Sequence, residues 1–108
     1  TLYNLCLYLF ETKRFDQLDV KMAELEERIE ATTDIRLRAT AFKLIGRFTL
    51  EKGYEELYLA AMKQAIDEFE KIQLWKEAAE IYFELGQVLS QNDYLIKAAE
   101  YYKKYFDK

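Results

Sequence analysis

The stretch YFELGQVL at residues 82–89 decides the fold, because its Leu-Gly pair completes a series that runs through the whole chain. A branched aliphatic residue followed by a small one stands at 5–6 as LC, at 45–46 as IG and at 85–86 as LG, so the step is 40 residues each time. Apolar residues around all three pairs follow helical spacing. Three copies of one helical unit predict an α-solenoid, in which stacked hairpins provide the core that a single hairpin lacks.

The small residue of each pair is predicted to have a packing role. A glycine inside a helix costs about 1 kcal/mol relative to alanine, so Gly46 and Gly86 need a compensating reason. Two antiparallel helices approach closely only where the side chain at their contact is small. We therefore predict that both glycines lie where the first helix of a hairpin packs on the second. Cys6, the next-smallest choice, is predicted to be a buried packing residue rather than a reactive thiol.

Other apolar positions keep the 40-residue step and outline six helices. The matching sets are Leu2, Phe42 and Tyr82; Ala39 and Ala79; and Met22, Met62 and Tyr102. We predict three hairpins, at residues 1–32, 33–72 and 74–108, in a single domain without an internal linker. Gly53 is predicted to end a helix in a left-handed conformation, and Asn92-Asp93 to separate the last two helices. Because Thr1 already lies inside a helical pattern, we expect a fragment of a longer protein.

The composition of the 108 residues excludes several classes of protein. Apolar types make up 51% and aromatic types 16%, which indicates a packed core. Proline is absent and glycine occurs 3 times, so an all-β fold with its many turns is disfavoured. The absence of histidine removes zinc-finger ligand sets, Ser-His-Asp triads and histidine acid–base catalysis. With no Gly-rich phosphate loop and no EF-hand spacing, we expect no enzyme, no cofactor and no metal site.

Charge and cysteine content indicate the partners and the compartment. There are 20 acidic and 16 basic residues, a net charge of -4, whereas a phosphate-binding surface normally has a basic excess. We therefore expect no direct contact with nucleic acid. The single cysteine fits a reducing cytoplasm. No apolar run approaches the roughly 20 residues of a membrane span, so a membrane is not an expected partner.

The third unit resembles the tetratricopeptide repeat (TPR). The residues at the family's aromatic, Leu-Gly, large apolar, alanine and aromatic positions are Tyr82, Leu85-Gly86, Leu89, Ala98 and Tyr102. The second unit departs from the pattern at Tyr58, where alanine is expected, and the first unit is degenerate. The 40-residue step is longer than the standard unit of about 34, and the closing proline is absent. The resemblance implies an all-α, right-handed α-solenoid of three TPR-like antiparallel hairpins.

Longer, proline-poor units of this kind are similar to those in the C-terminal sensor regions of Gram-positive bacterial helix-turn-helix regulators. The segment KIQLWKEAA at 71–79 has the character of that group. There, the TPR array follows a DNA-binding domain and binds a short signalling peptide. The resemblance therefore implies a cytoplasmic bacterial protein that takes part in transcriptional regulation.

The resemblance also implies a peptide groove along the first helix of each hairpin. Its candidates lie three residues before the small residue and one and four after it: Tyr3, Leu7 and Phe10; Lys43, Arg47 and Leu50; and Phe83, Gln87 and Ser90. Lys43 and Arg47 are four residues apart, so they project from one helix face and suit a carboxylate of a peptide. The alternative is a solvated face on which both cations pair with Glu51 or Glu80.

The last helix carries aromatic residues around more than one stripe: Tyr101, Tyr102, Tyr105 and Phe106. A terminal repeat normally has a polar outer face. Either another helix follows in a longer protein, or two chains pair there as a homodimer. The sequence thus favours a peptide- or protein-binding interaction module, the sensor or dimerisation part of a regulator. The alternative is a structural oligomerisation scaffold without a small ligand.

Overall fold

A computed structural model describes residues 1–107, and these form six α-helices and no strand. The helices are α1 (Leu2–Glu11), α2 (Phe15–Ala31), α3 (Ile35–Glu51), α4 (Glu55–Lys71), α5 (Trp75–Val88) and α6 (Asn92–Phe106). Lys108, the end of the predicted third hairpin, lies outside the described residues. The prediction of an all-α chain of six helices is confirmed for this part of the chain.

The helices pack in chain order as three hairpins: α1 with α2, α3 with α4, and α5 with α6. Contacts of α2 with α3 and of α4 with α5 then join the hairpins into one stack with extents of 41 × 31 × 21 Å. The two helices of the second hairpin, like those of the third, approach each other closely along much of their length, whereas α1 and α2 are in close contact over a shorter stretch. Part of this difference has a local cause, because α1 is ten residues long and α3 seventeen.

Two apolar clusters form the core, and each one bridges neighbouring hairpins. The first joins Cys6 and Leu9 of α1 to the buried stripes of α2 and α3. The second joins Tyr58 and Met62 of α4 to Leu85 of α5. Cys6 is fully buried, as predicted for a small packing residue. Burial between hairpins explains why one hairpin alone has no complete core.

Four of the five connections use the same left-handed turn. Lys13, Gly53, Gln73 and Ser90 have φ angles of 59°, 86°, 58° and 54°. In each case the next residue donates its N–H to the carbonyl five positions earlier, as in Arg14 to Leu9 at 2.9 Å and Gln91 to Gly86 at 3.1 Å. This is the Schellman bond that satisfies a last-turn carbonyl. The left-handed conformation predicted for Gly53 is confirmed.

The connection between α2 and α3 is different, because it is extended and starts the next helix with a side-chain cap. Thr32 and Asp34 have ψ angles of 146° and 98°. The Asp34 carboxylate accepts the N–H of Leu37 at 3.1 Å, which satisfies one of the free donors of the first turn. The first hairpin is thus joined to the second by a cap, and the second to the third by a left-handed turn.

The 40-residue step holds through α5 and fails in α6. A Cβ atom on Gly46 would lie 3.4 Å from Ala61, fifteen positions later, whereas one on Gly86 would meet Leu95, nine positions later. The reason is the turn: Ser90 follows Gly86 by four residues, whereas Gly53 follows Gly46 by seven. A turn that comes three residues earlier moves the facing position on the second helix by six.

Two predictions for the third hairpin are therefore wrong, one based on capping residues and one on the 40-residue step. Asn92-Asp93 does not separate the last two helices, because Asn92 is the first residue of α6. Tyr102 does not occupy the place of Met62: Met62 is completely buried, and Tyr102 is half-buried at a different level of its hairpin. We predicted a close helix contact at both glycines. A Cβ atom on Gly46 would meet its neighbours at ordinary van der Waals distances, so the contact at Gly46 is looser than the one at Gly86.

Candidate functional site

The apolar residues predicted to line the first-helix groove lie mostly in the packing of the stack. Tyr3, Leu7 and Phe10 are half-buried against the core cluster of the first hairpin, and Leu50 packs on the second cluster. Burial raises the pKa of Tyr3, although the nearby Arg47 guanidinium opposes the shift. Tyr3, Leu7 and Phe10 thus take part in the packing of the first cluster and Leu50 in that of the second, so each is only partly accessible to a ligand.

The α5 members of the predicted groove are placed differently. Phe83 is 46% exposed and Gln87 is also exposed, both on α5. Ser90 is not on a helix face: it is the left-handed residue of the turn after α5. The prediction for Ser90 is wrong because α5 ends at Val88, one turn before the 40-residue step would end it.

Arg47 of α3 forms an ion pair with Glu84 of α5 inside the stack. Its Nη2 lies 2.7 Å and its Nε 3.2 Å from Oε1 of Glu84 on α5. The Tyr58 hydroxyl donates to the other carboxylate oxygen of Glu84 at 3.0 Å. The cation therefore pairs neither with Glu51 nor with Glu80, and it is not a free anchor for a peptide carboxylate. Lys43 makes no ion pair with a carboxylate among residues 1–107.

The contact of Tyr58 with Glu84 ties the second hairpin to the third. Tyr58 is fully buried, and burial raises the pKa of its phenol strongly, with the Glu84 carboxylate adding to the shift. The Tyr58 phenol therefore stays protonated and donates its hydrogen bond to the Glu84 carboxylate, whose charge Arg47 neutralises. Tyr58 stands where the TPR pattern has alanine, and this hydrogen bond is the structural use of the larger side chain.

The terminal aromatic residues do not form one outer face. Tyr101 packs edge-on against Tyr82 and Trp75, with ring centroids 5.1 and 5.6 Å apart, and its hydroxyl donates to Glu70 at 2.6 Å. The prediction that Tyr101 faces outward is therefore wrong, because the shifted register of α6 turns it toward α5. Tyr102 is half-buried, whereas Tyr105 and Phe106 are 39% and 74% exposed.

A groove with a volume of about 570 Å³ lies between α4 and α6. Tyr82 of α5 contributes to its floor, and its other lining residues are Lys63, Ile66 and Asp67 of α4 and Asp93, Tyr94, Ile96 and Lys97 of α6. Tyr82 and Tyr94 are stacked with centroids 6.3 Å apart. The groove therefore combines an aromatic floor with both signs of charge.

A second groove, of about 440 Å³, lies one hairpin earlier, between α2 and α4. Phe42 of α3 takes the place in it that Tyr82 takes in the first groove, and these two residues are one 40-residue step apart. Phe42 and Tyr82 also pack against the core clusters, and neither groove was predicted from the sequence. The one sequence feature that the two grooves share is an aromatic residue at the same repeat position. Only the spacing of the helices in the structure shows that this residue lines a groove.

A buried carboxylate outside these grooves has a structural explanation. Glu68 of α4 is 1% exposed and accepts from Arg38 at 3.3 Å, Gln64 at 3.2 Å and Lys71 at 3.4 Å. Arg38 also donates to the Ile29 carbonyl in the last turn of α2 at 3.3 Å. The cluster joins α2, α3 and α4, and its charge is already compensated.

No cluster of three or more His, Cys, Asp or Glu residues within residues 1–107 is placed to hold a metal ion. In the same part of the chain, none of the helices is long and apolar enough to cross a membrane. Comparison of the chain with protein-family models, with curated proteins and with solved structures gives no match.

Proposed function

We propose that this chain is a peptide- or protein-binding module and that the groove between α4 and α6 is its binding site. The observation that carries the proposal is the groove itself. Its volume of about 570 Å³ falls within the range of roughly 300–1,000 Å³ for ligand sites, and such sites combine apolar walls with a few polar groups.

The chemistry of the groove favours a segment with an apolar anchor between charged residues. Tyr82, Tyr94 and Ile66 offer an apolar surface to the anchor. Lys63 and Lys97 suit carboxylates of the partner, and Asp67 and Asp93 suit its cations. The first-helix surface fits less well, because the Arg47–Glu84 pair has removed one of its two predicted cations.

The wider proposal is a right-handed TPR-like solenoid in a bacterial cytoplasm, the sensor or dimerisation part of a transcriptional regulator. It is supported by three stacked hairpins and by the TPR-like residues of the third one. Peptide docking between α4 and α6 would fix the angle between the second and third hairpins. A peptide that binds one inter-hairpin angle more tightly than another would shift the equilibrium toward that angle, which is the general way in which a ligand changes conformation.

The test is a selection of displayed random peptides on the 108-residue chain, followed by calorimetry with the selected peptides. We expect Tyr94→Ala and Lys63→Glu each to weaken binding by about 10-fold, as for central interface residues. Lys43→Glu is the matched control, since it makes the same charge change on the first-helix surface and should leave affinity unchanged. If Lys43→Glu with Arg47→Glu weakens binding while the groove variants do not, the site is the first-helix surface. Failure to select any peptide would contradict the function.

The alternative is a structural oligomerisation scaffold without a small ligand. The observation that favours it is the exposed apolar side chains on the first and last hairpins, among them Tyr8 at 52% and Phe83 at 46% exposure. A scaffold would show a concentration-dependent mass and no rise of the melting temperature with any selected peptide.

A further inference from the structure

The groove between α2 and α4 has two walls of different chemistry. The α2 wall consists of Glu26 and Glu30, both exposed, and neither forms an ion pair with a cation among residues 1–107. The α4 wall is apolar except at one end, and the floor belongs to α3; these residues are Leu57, Ala60, Ala61 and Gln64 on α4, and Phe42, Ile45 and Thr49 on α3. Leu57 is 56% exposed. The groove therefore places carboxylates on one side and an accessible apolar surface on the other.

The charge of this region differs from that of the groove between α4 and α6. Helix α2 has six acidic and two basic residues, so its net charge of -4 equals that of the whole chain. Helix α4 adds five acidic and two basic residues. Two lysines and two aspartates line the α4–α6 groove, whereas none of the described residues that line the α2–α4 groove is basic. Charge complementarity therefore favours a cationic ligand between α2 and α4.

Helices α2 and α4 run in the same direction along the groove. Near its start, α2 lies beside the end of α3, where Lys52 pairs with Asp19. In its last turn, α2 lies beside the start of α3, where Arg38 donates to the Ile29 carbonyl at 3.3 Å. Helix α4 returns along α3 after the turn at Gly53. The residues of the two walls therefore advance together along the groove.

The spacing of residues along both walls matches an extended chain. Glu26 and Glu30 are four residues apart, which separates them by about 6 Å along α2. Leu57 and Ala61 have the same spacing on α4. In an extended peptide, side chains two residues apart lie on one side at a spacing of about 6.6 Å, and the side chain between them lies on the other side. An extended segment in the groove thus directs alternate side chains toward α2 and toward α4.

The size of the groove also favours an extended ligand over a helical one. The α4 wall from Leu57 to Gln64 is about 10 Å long, because a helix rises about 1.5 Å per residue. A helix about 10 Å wide has a volume of about 800 Å³ over that length. The groove holds about 440 Å³. A helix would therefore lie on the rim, whereas an extended chain of roughly three residues fits between the walls.

We propose that the groove between α2 and α4 is a second peptide site, and that it binds an extended segment in which basic and apolar residues alternate. The basic side chains pair with Glu26 and Glu30 of α2, and the apolar side chains pack on Leu57 and Ala61 of α4. The α3 floor lies beneath the peptide. Binding here needs no ligand between α4 and α6, so each of the two sites can fail or succeed alone.

The test is an NMR titration of the backbone amides of the 108-residue chain with the synthetic peptide acetyl-KLKLK-amide. We expect chemical-shift changes at groove residues, among them Ile45, Leu57 and Ala61. The control peptide acetyl-KKKLL-amide has the same composition without the alternation. It should bind about fivefold more weakly, because its alternate side chains place a lysine against the apolar wall. The charge-reversed peptide acetyl-ELELE-amide should not bind, because its carboxylates face those of α2.

Two double variants with the same change of charge test the α2 wall. Glu26→Gln with Glu30→Gln should weaken binding about fivefold at low salt and have little effect at high salt, because exposed ion pairs are weak and screened. The matched control, Glu24→Gln with Glu27→Gln, changes exposed residues of α2 outside the groove and should alter the affinity by less than about twofold. Leu57→Ala should weaken binding about fivefold at both salt concentrations, because the lost contact is apolar.

Four outcomes would overturn the proposal: no shift at millimolar peptide, equal binding of acetyl-KKKLL-amide, an equal loss of affinity in the matched control, or shifts only outside the groove. Tyr94→Ala, in the groove between α4 and α6, should leave the affinity for acetyl-KLKLK-amide unchanged, and a loss there would assign the peptide to that groove instead. Circular dichroism checks folding. The glutamine variants change exposed helix positions, so they keep the test decisive even if Leu57→Ala unfolds.

Discussion

The second and third hairpins have the same small residue at the same repeat position, but they use it differently. Gly46 faces Ala61 and Met62 at 3.4 Å, a distance at which a methyl group fits. Gly86 faces Leu95, and a Cβ atom there would lie 2.5 Å from its Cδ2 and 3.2 Å from its backbone nitrogen. The Leu95 side chain thus fills the space over Gly86, and the backbone of α6 also lies close to the glycine at this point.

Hairpins that repeat the same residue types do not repeat the same contacts, as the neighbours of the two glycines show. The third hairpin turns at Ser90, three residues before the place that corresponds to Gly53. That change brings a different residue of the second helix to the glycine, although α5 keeps the spacing of α3. A single turn position therefore decides what each glycine contacts.

The largest expected difference is between Gly86→Ala and Gly46→Ala. We expect Gly86→Ala to lower the free energy of unfolding by ~1–2 kcal/mol, because overpacking outweighs the gain in helix propensity. Gly46→Ala should raise it by ~0.5–1 kcal/mol, because the propensity gain meets ordinary contacts. Urea denaturation measures both changes. Equal effects of the same sign would contradict the difference between the two hairpins.

A smaller effect is expected from exchanging the turn residues. Gly53→Ser puts a side chain at φ 86° and should lower the free energy of unfolding by about 1 kcal/mol. Ser90→Gly relieves the left-handed serine at φ 54°, but it also loosens the unfolded chain, so we expect a gain of about 0.5 kcal/mol. Thermal melting of both variants checks the signs. If Ser90→Gly destabilises, the turn of the third hairpin is not the left-handed one described.

A further effect is expected at alkaline pH. Burial raises the pKa of Tyr58, and to a lesser extent the Glu84 carboxylate does so; burial and the hydrogen bond to Glu70 raise that of Tyr101. A raised phenol pKa contributes stability that is present below the unfolded value of about 10 and lost as the pH rises above it. The melting temperature should therefore fall above this pH.

Phenylalanine variants separate the contributions of the two hairpins. Tyr58→Phe and Tyr101→Phe should each flatten the alkaline slope by a similar amount, because each removes one phenol whose pKa the fold raises. Each also loses a hydrogen bond worth about 1 kcal/mol at neutral pH. Slopes identical to that of the unmodified chain would show that neither phenol is held neutral by the fold.

Much of the fold was predictable from local chemistry. The helical spacing of apolar residues and the left-handed Gly53 depend on positions close together in the chain, and the burial of Cys6 follows from its place in the repeat; the structure bears all three out. The turn at Ser90 was not predictable, since serine is not a typical left-handed residue and Asn92 is a better helix-start signal. Once that turn is misplaced, the facing residues of α6 are misplaced with it.

The candidate site was less predictable than the fold. Arg47 has the sequence signature of an exposed groove cation, but its partner Glu84 lies 37 positions away on another hairpin. Phe42 and Tyr82 have the signature of core aromatics, but both line grooves between second helices. Exposure at these positions depends on the gaps between helices, and no short-range pattern encodes those gaps.

Residue types and their spacing establish that the chain is helical, that it repeats, and which residues are small enough for close helix contacts. These properties follow from backbone propensity and apolar periodicity, which act over one or two helical turns. The tertiary structure alone decided that Arg47 is neutralised, that Tyr101 turns inward, and that a groove opens between α4 and α6. Each of these depends on the register between helices, and register is set by where a turn falls and how closely two backbones pack.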